Sequence, residues 1–536
     1  MLQKLLLALA SALLLWLSWP VGGFTPLIFT AFVPLLFLEQ WLSLNNPSRP
    51  KLKLFAYTFL TVGLWYFITI YWLKNASWAG VIAAVLLNGT LIGLVMLLFR
   101  YIKQKLGRQR GYIALPFLWI SAEALHNYWD FSFPWLTLGN VFSERVQWIQ
   151  WYEHTGVYGG SLWVWAVNLT LFAALNHYWK HREIKSLARH IALWVMPVLI
   201  VPLLISVYRY HTYQPRGTSV NIAVIQPNID TYVGKFRMSE TQQVQKFMDL
   251  ARPLLHDSLD FLIGPETMLP KGMYEQNLEG SPSIKPFRYL VKKYPQLSIV
   301  VGASTRMYYP DGPETPTARP FNKGKAYYDV YNTALLIRNK QPIELYHKSK
   351  LVAGVEMMPY EKVLKPFLGK VVDDFGGISG TLGTQEKRTV FASAQNKVKV
   401  APVICWEAEF GQYVGGYIQK GAQLIFIITN DDWWGNTQGH RQHLHIARLR
   451  AIEHRRSIAR SANTGISAFI NQRGDVLKPQ PYKQDAAISH TILANDALTY
   501  YSKAGDVIVR VSVFIGLFLW LFALVRSYLL KHNSKA

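Results

Sequence analysis

The sequence predicts a multi-pass α-helical membrane bundle of about eight spans that carries an α/β domain outside the cytoplasm. Of the 536 residues, 51% are hydrophobic and only 16% are charged, which is unusual for a soluble protein. Apolar stretches long enough to cross a bilayer fill the first part of the chain and return near its end. Between them, short β-branched runs alternate with helical stretches. We therefore expect a bundle of seven spans over 1–210, an α/β domain over 218–500, and a C-terminal transmembrane helix over 511–530.

The apolar segments predict eight spans, of which the fifth is short. They lie near residues 5–20, 24–43, 54–73, 78–99, 111–126, 157–178, 190–208 and 511–530. The first segment follows Lys4 and has the basic start of a cleaved signal peptide. No small-residue cleavage site follows it, however, and a second apolar segment begins almost at once. These two features favour an uncleaved membrane anchor.

The basic residues of the loops predict the orientation in the membrane. Lys and Arg cluster in loops 44–53, 100–110 and 179–190, whereas the intervening loops carry few. Because basic loops stay on the cytoplasmic side, we expect both termini in the cytoplasm and the α/β domain on the periplasmic, outer face of the cytoplasmic (inner) membrane. The net charge of +24 does not indicate a nucleic-acid partner, since residues 1–214 place 16 Lys and Arg and 6 Asp and Glu among long apolar runs.

The region after residue 218 predicts a layered α/β domain. The expected strands are Val220–Ile225, Phe261–Ile263, Ser298–Val301, Val330–Ile337, Val398–Ile404, Leu424–Ile428 and Ile466–Ile470. Ser239 and Gln242 form a capping box before an apolar repeat of helical spacing, so a helix separates the first two strands. Strands that are apolar on both faces and alternate with helices are typical of sheets covered by helices. Residues 305–326, rich in Pro, Gly and charge, are expected to form a surface loop.

Three polar residues follow apolar or strand-like runs, where ligands bind in α/β sheets. Glu266 follows Phe261–Pro265, Lys348 follows Ile343–His347, and Cys405 follows Val398–Ile404. A carboxylate near a thiol can take its proton, and an ammonium favours the thiolate and stabilises an oxyanion. Alternatively, a buried lone cysteine is a small core residue, and a Glu or Lys after a strand is solvated. The three positions together favour a nucleophilic site.

Several longer stretches of the sequence resemble known families. They are Phe133-Pro-Trp-Leu, Ile225-Gln-Pro-Asn-Ile, Gly264-Pro-Glu-Thr, Tyr346-His-Lys-Ser-Lys-Leu-Val, Val403-Ile-Cys-Trp-Glu, Thr429-Asn-Asp-Asp-Trp-Trp-Gly, Gln442-His-Leu and Ala462-Asn-Thr-Gly-Ile-Ser. On these stretches the α/β domain resembles the nitrilase, or carbon-nitrogen hydrolase, superfamily. Nearly the whole chain resembles the bacterial apolipoprotein N-acyltransferase family. The resemblance implies an α-β-β-α sandwich carried on a bundle of eight membrane spans.

The resemblance also implies roles for individual residues. Glu266 matches the family's general base, Lys348 its oxyanion-stabilising cation and Cys405 its acylated nucleophile. The further residues expected to support the site or contact substrate are Glu356, Glu407, Trp406, Trp434, Met357 and Met358. Trp406 stands where the family usually has Tyr, and Trp434 stands where Phe is usual, so these departures bear on the fit of the lipid.

The implied reaction is an acyl transfer through a thioester on Cys405. The donor is a phospholipid from the surrounding membrane lipid, and the acceptor is the α-amine of the N-terminal diacylglyceryl-cysteine of an apolipoprotein. No metal or organic cofactor is implied. One alternative is a membrane-anchored amidase or nitrilase that hydrolyses carbon-nitrogen bonds, but small soluble amides do not require eight spans. The other alternative is a non-catalytic lipoprotein-binding membrane protein, which an intact Glu-Lys-Cys set disfavours.

Four histidines have a superficial likeness to metal ligands. They are His440, His443, His445 and His454. His443 and His445 are two residues apart and cannot share one helix face, and a single cysteine is too few for a thiolate zinc cage. We therefore expect no metal site, and by the resemblance His443 is structural.

Two further segments are unusually apolar or aromatic. Residues 127–151 are rich in Trp, Phe and Tyr, and Leu351–Phe367 carries several apolar side chains, Met357 and Met358 among them. One interpretation is internal packing together with an interfacial aromatic belt. The other is an entry floor for lipid and a mobile lipid-binding arm, and we favour a mixture of the two.

Overall fold

The computed structural model describes residues 2–230, 238–363, 380–395 and 397–533, without the side chains of Asn322 and Asn533. The chain divides into two compact units. Met1–Thr212 and Ala504–Ala536 form the first, and Tyr213–Lys503 forms the second. The first unit is helical, and every strand of the described residues lies in the second.

Ten α-helices of the described residues build the first unit. They are Leu2–Ser18, Val33–Asn45, Pro50–Thr69, Trp78–Leu106, Arg108–Leu125, Tyr152–Thr155, Val157–His181, Ile184–His190, Met196–Thr212 and Val507–Asn533. Shorter 3-10 turns occur at Thr25–Phe29, Tyr71–Asn75, Pro134–Leu136, Leu138–Phe142 and Val146–Trp148, and a π-helical turn occurs at Ile191–Val195. The sequence sets these boundaries locally. The Ser77 hydroxyl accepts a hydrogen bond from Gly80 N at the start of Trp78–Leu106, and Gly107, at a φ of 94°, ends that helix.

Six segments of the described residues are long and apolar enough to cross a membrane. They are Thr25–Asn45, Pro50–Thr69, Trp78–Leu106, Val157–His181, Ile184–Thr212 and Val507–His532. Each coincides with an expected span. The other two expected spans are also helices, but Leu2–Ser18 is shorter and Arg108–Leu125, which contains Pro116, is not among the six. The chain is therefore a multi-pass membrane protein, and the number of eight spans stays a prediction.

Polar and aromatic groups inside the first unit are closely packed. Lys103 forms a buried ion pair with Glu39, which is what charged groups inside a membrane bundle require. In the aromatic segment 127–151, Trp135 and Phe142 are fully buried, whereas Tyr128 is 70% exposed. Internal packing thus accounts for part of that segment, and its function as a floor for lipid entry stays a prediction.

Two sheets form the centre of the second unit. Its strands are β1 Thr218–Gln226, β2 Phe261–Ile263, β3 Leu269–Tyr274, β4 Ser298–Tyr309, β5 Arg319–Phe321, β6 Ala326–Ile337, β7 Glu344–His347, β8 Phe391–Ala392, β9 Lys399–Ile404, β10 Leu424–Thr429, β11 Ser457–Ala462, β12 Ala468–Ile470, β13 Val476–Leu477 and β14 Ala486–Ala494. Within the described residues, eight strands form one sheet in the order β14-β1-β2-β4-β6-β5, with β3 beside β4 and β7 beside β6. The other six form a sheet in the order β13-β12-β11-β10-β9-β8. Strands β1, β2 and β4 are parallel, as are β9, β10 and β11.

The two sheets pack face to face and helices cover their outer sides. Phe261 of β2 meets Phe426 of β10 edge to face, with ring centroids 5.0 Å apart. The helices of this unit are Glu240–Ala251, Lys285–Lys293, Gly411–Gln419, Gln438–His454 and Tyr500–Ala504, with 3-10 turns at Arg252–Leu254, Glu275–Asn277, Asn322–Gly324, Cys405–Glu409 and Asp431–Trp434. Phe247 and Phe287, from the first two helices, belong to the core on the first sheet. The layers are therefore α-β-β-α, as expected.

The structure confirms the capping box and corrects the expected loop. Ser239 and Gln242 exchange the two hydrogen bonds of a capping box at the start of Glu240–Ala251. The expectation that 305–326 is all loop is wrong. Strand β4 continues to Tyr309 and β5 lies within the segment, because both pair with β6. Of these two strands only β5 lies at an edge of the sheet, and the Pro and Gly residues between them gave the whole segment the composition of a loop.

Candidate active site

The ends of strands place the three predicted residues of the triad. Glu266 lies three residues after β2, Lys348 directly follows β7, and Cys405 directly follows β9. The backbone of β4 lies very close to the backbone of the segment that carries Glu266. A Cβ atom at Gly302 would lie 2.6 Å from the Glu266 Cα, so only glycine fits at this position.

Lys348 lies between two carboxylates. Its Nζ donates to Glu266 Oε1 at 3.1 Å and to Glu356 Oε1 at 2.8 Å. The amide of Asn332 on β6 donates to the same two oxygens, at 2.7 and 3.1 Å. The second oxygen of Glu356 accepts from Val352 N at 2.9 Å. An ammonium and an amide thus hold two carboxylates together in a fixed arrangement with all four residues buried.

The charges around the site affect the ammonium and the thiol differently. Burial alone would lower the pKa of Lys348, but Glu266, Glu356 and Cys405 raise this pKa well above its usual value. Burial and the Glu266 carboxylate raise the pKa of the Cys405 thiol, while Lys348 and a hydrogen bond with Thr429 act in the opposite direction. The resting site therefore contains a stable ammonium and a neutral thiol that needs a base to ionise.

The backbone of Cys405 has an unusual conformation. Its φ is 49°, in the left-handed region that residues with a Cβ rarely adopt, and the residue is 7% exposed. Cys405 begins a 3-10 turn that follows β9. A sharp turn directly after a buried strand points a side chain out of the sheet edge, and a positive φ at such a position requires support from its surroundings.

Glu407 connects the segments that carry Lys348 and Cys405. Its Oε1 accepts from Ser349 N at 2.8 Å and from the Tyr413 hydroxyl at 3.1 Å, and its Oε2 accepts from Ile404 N at 2.9 Å. The backbone residues on either side of the site thus share one carboxylate. Burial raises the pKa of Glu407, although the backbone hydrogen bonds from Ile404 and Ser349 and the charge of Lys348 act in the opposite direction. These hydrogen bonds fix the Glu407 carboxylate between the two segments.

The four residues expected to contact substrate are less closely connected to the triad. Trp406 is buried and packs 6.3 Å from the Phe410 ring, and Trp434 packs edge to face on the His443 ring at 5.3 Å. Met357 and Met358 directly follow Glu356 and are half-buried. The described part of the apolar segment is Leu351–Val363, in which Val363 is 63% exposed. Residues 364–367 of the expected arm lie outside the described residues.

Several residues of the site were not predicted from the sequence. Asn332 is one polar residue within a strand, and no motif marks it. Glu409 is buried, and both its carboxylate oxygens lack a hydrogen-bond partner within the described residues. Burial raises the pKa of Glu409 to about 8, against the opposing charges of Arg450 and Arg460. The spacing of this glutamate, four residues after Cys405, was the only sequence signal for it.

The four histidines of the sequence analysis have separate surroundings. His440 stacks on Tyr482 at 4.4 Å, His445 contacts Arg448 at 3.0 Å, and His454 contacts Gly411 O at 3.1 Å and Ser502 Oγ at 2.9 Å. His443 contacts the backbone carbonyl of Cys405. Among the residues that the structure describes, no group of three or more His, Cys, Asp or Glu side chains is arranged to hold a metal ion.

A buried carboxylate, ammonium and thiol at the ends of strands in a two-sheet sandwich define a class: enzymes that carry an acyl group on a cysteine. Comparison with known proteins agrees. Residues 221–497 match the family described as carbon-nitrogen hydrolase, and residues 11–170 match the apolipoprotein N-acyltransferase N-terminal domain. The chain belongs to the carbon-nitrogen hydrolase family, and it combines that domain with the N-terminal domain of the acyltransferases.

Relatives share both parts of the chain. An apolipoprotein N-acyltransferase of Chlorobaculum tepidum is 28% identical over 97% of this chain and 96% of its own length. One of Geobacter metallireducens is 27% identical over 94% of this chain and 92% of its own. A solved amidase of Nesterenkonia, from the nitrilase superfamily, aligns with 55% of this chain and 98% of its own, at 16% identity and a TM-score of 0.37.

Proposed function

We propose that this membrane enzyme transfers an acyl chain from a phospholipid to the α-amine of the N-terminal diacylglyceryl-cysteine of apolipoproteins, with Cys405 as the acyl carrier. The observation that carries the proposal is the placement of Lys348 between Glu266 and Glu356, at the end of a strand beside a Cys405 thiol whose pKa both Glu266 and Lys348 affect. The matches of both parts of the chain to the acyltransferases support the choice of substrates.

The first half-reaction forms a thioester. Glu266 takes the proton of the Cys405 thiol, and the sulfur attacks the carbonyl carbon of the phospholipid ester. Lys348 stabilises the oxyanion that develops, a contact worth about 2.7–4 kcal/mol in comparable sites. The carbon-oxygen bond breaks, Glu266 returns its proton to the leaving alkoxide, and the lysophospholipid departs. Glu356 and Asn332 keep the ammonium and the general base in position throughout.

The second half-reaction reverses these proton transfers. The neutral α-amine of the diacylglyceryl-cysteine attacks the thioester carbonyl, and Glu266 takes a proton from the attacking nitrogen. Lys348 again stabilises the oxyanion. The carbon-sulfur bond breaks, Glu266 reprotonates the thiolate, and the amide product leaves. The two substrates therefore use one site in turn, and the kinetics are ping-pong.

The proposed function also includes an orientation in the membrane and contacts with the acyl chains. The loop charges support cytoplasmic termini and a catalytic domain on the periplasmic face, with a bundle over 1–210, a catalytic domain over 218–500 and a last span over 511–530. Trp406, Trp434 and the half-buried pair Met357 and Met358 are proposed to contact the acyl chains. Both partners bring long acyl chains, so apolar contacts near the site lower the cost of taking them from the bilayer.

The test is the acyl adduct itself. The full-length protein in detergent is incubated with phospholipid alone and then analysed by intact mass. We expect one acyl adduct on Cys405, which disappears when a synthetic diacylglyceryl-cysteine peptide is added and reappears on the peptide as an amide. The matched control is Cys405→Ala, which forms no adduct.

Two results would contradict the proposal. If Cys405→Ala still N-acylates the peptide, the thioester mechanism is wrong. If the wild-type adduct is lost to water at the same rate with and without the peptide, the protein is a hydrolase rather than a transferase.

A further inference from the structure

A buried histidine contacts the backbone of the nucleophile. His443 lies in the helix Gln438–His454, its side chain is fully buried, and its Nε2 lies 3.3 Å from the carbonyl oxygen of Cys405. Glu409 Oε1 lies 3.9 Å from the same nitrogen, beyond hydrogen-bond distance. A carbonyl oxygen only accepts hydrogen bonds, so Nε2 must carry a proton and donate it to this contact.

The other side of the ring is fixed by a charged pair. His443 Nδ1 lies 3.0 Å from Asp431 Oδ1 and 3.1 Å from Arg460 Nη2. Arg460 Nη2 also donates to Asp431 Oδ2 at 2.7 Å, and the Thr429 hydroxyl donates to Asp431 Oδ1 at 2.9 Å. Whichever neighbour Nδ1 bonds, the ring orientation is set by groups that are themselves buried and hydrogen-bonded.

We infer that His443 is a positioning residue for the proposed acyl transfer, because its Nε2–H holds the Cys405 carbonyl and thereby keeps the nucleophile at positive φ. The inference rests on the proposed function of Cys405 as the acyl carrier. Without this hydrogen bond, the Cys405 backbone relaxes toward the negative φ that residues with a Cβ prefer. The thiol then moves away from Glu266 and Lys348, and its ionisation loses the support of both.

Three substitutions at one position separate this role from packing. His443→Gln keeps a nitrogen donor at nearly the position of Nε2. His443→Asn keeps only the shorter reach toward Asp431, and His443→Leu fills space without any donor. The matched control is His454→Gln, because His454 lies on the same helix, is fully buried and contacts the backbone carbonyl of Gly411 in the same way.

Two rates are measured on each full-length protein in detergent. The first is alkylation of Cys405 by iodoacetamide between pH 6 and 9, and the second is adduct formation from phosphatidylethanolamine in mixed detergent micelles. We expect His443→Leu and His443→Asn to slow alkylation near pH 7 by about tenfold, the factor that corresponds to one lost hydrogen bond. Their deficit should persist up to pH 9, because burial raises the pKa of the thiol above this range in every variant, and adduct formation should fall at least as much. His443→Gln and the control should stay within about threefold of the wild type.

Each other outcome overturns the inference. Wild-type alkylation in a folded His443→Leu variant would mean that the nucleophile needs no such support. Equal loss in His443→Gln and His443→Asn would mean that the donor is irrelevant. If none of the three variants folds while His454→Gln does, His443 is a packing residue. Failure of the proposed function would give a different result. The wild type would then form no lipid adduct, but the alkylation rates of the variants would still test the role of His443.

Discussion

Replacing Lys348 by Met removes the cation that holds two buried carboxylates together. Glu266 and Glu356 would then share only the amide of Asn332, which donates to both at 2.7 and 3.1 Å. Two carboxylates held this close cannot both stay ionised, so one of them must bind a proton. We therefore expect Lys348→Met to destabilise the protein in a way that depends on pH.

The size of the effect follows from the cost of that proton. An ordinary glutamate has a pKa of about 4.3, so protonating it at pH 7 costs about 3.7 kcal/mol, and at pH 5 about 1 kcal/mol. The first value lies within the roughly 3–5 kcal/mol measured when one partner of a buried ion pair is removed. The folded variant binds a proton that the unfolded chain releases, so its stability falls as the pH rises from 5 to 7. In the wild type, the raised pKa of Lys348 keeps the ammonium charged over this range, so Lys348 itself adds no such slope and the effect is the difference between variant and wild type at each pH.

The assay compares unfolding midpoints of the full-length protein in detergent at pH 5 and 7. Lys348→Met should lose most stability at pH 7. The double variant with Glu356→Gln should recover most of it, because the new amide donates to Glu266. Acyl adduct formation should stay about 100- to 1,000-fold low in both, since neither restores the oxyanion contact. An unchanged midpoint for Lys348→Met at pH 7, or wild-type adduct formation, would refute this account of the site.

Four further predictions concern other parts of the protein. Because burial raises the pKa of Cys405, its alkylation by a small reagent should increase with pH through pH 9, and Cys405→Ser should lose turnover because an alkoxide is harder to form than a thiolate. Glu407→Gln should slow adduct formation by about tenfold, since the amide nitrogen that replaces one carboxylate oxygen cannot accept from a backbone N–H, and intact mass after a fixed time would measure the deficit. A reporter active only outside the cytoplasm should be active when fused after Thr218, and an inactive reporter would show that the predicted orientation is wrong. Met357→Asp with Met358→Asp should slow acylation by bilayer phospholipid but not alkylation by iodoacetamide, and if both rates fall together the two residues are structural packing.

The sequence predicted the parts of the fold that depend on local pattern. Long apolar runs and β-branched strands can be recognised from the sequence alone, and the predicted bounds of Phe261–Ile263 match the structure to the residue. Strands with a different composition were missed. Strand β11 contains two serines and Arg460, yet it is fully buried because Arg460 pairs with Asp431. Such a strand can be recognised only when its distant partner is known.

The same distinction applies to the candidate site. Glu266, Lys348 and Cys405 were found because each ends an apolar or strand-like run and lies in a recognisable stretch. Asn332 was missed, although it contacts two carboxylates of the site, because its partners lie 66 and 24 residues away. Contacts over such sequence distances leave no periodicity or spacing to detect. Residue types at strand ends can therefore suggest the chemistry, but the residues that hold those groups in place require the structure.

The ammonium between two carboxylates has a consequence for the lifetime of the acyl-enzyme. Before acylation the charged members of the group are Lys348, Glu266 and Glu356, with a neutral thiol beside them. After the lysophospholipid has left, the proposed proton transfers return Glu266 to its starting state, and the thioester is as neutral as the thiol was. The buried site thus has the same total charge in its two resting forms, and neither is disfavoured by its surroundings. We therefore expect the thioester to persist in the site until an acceptor binds.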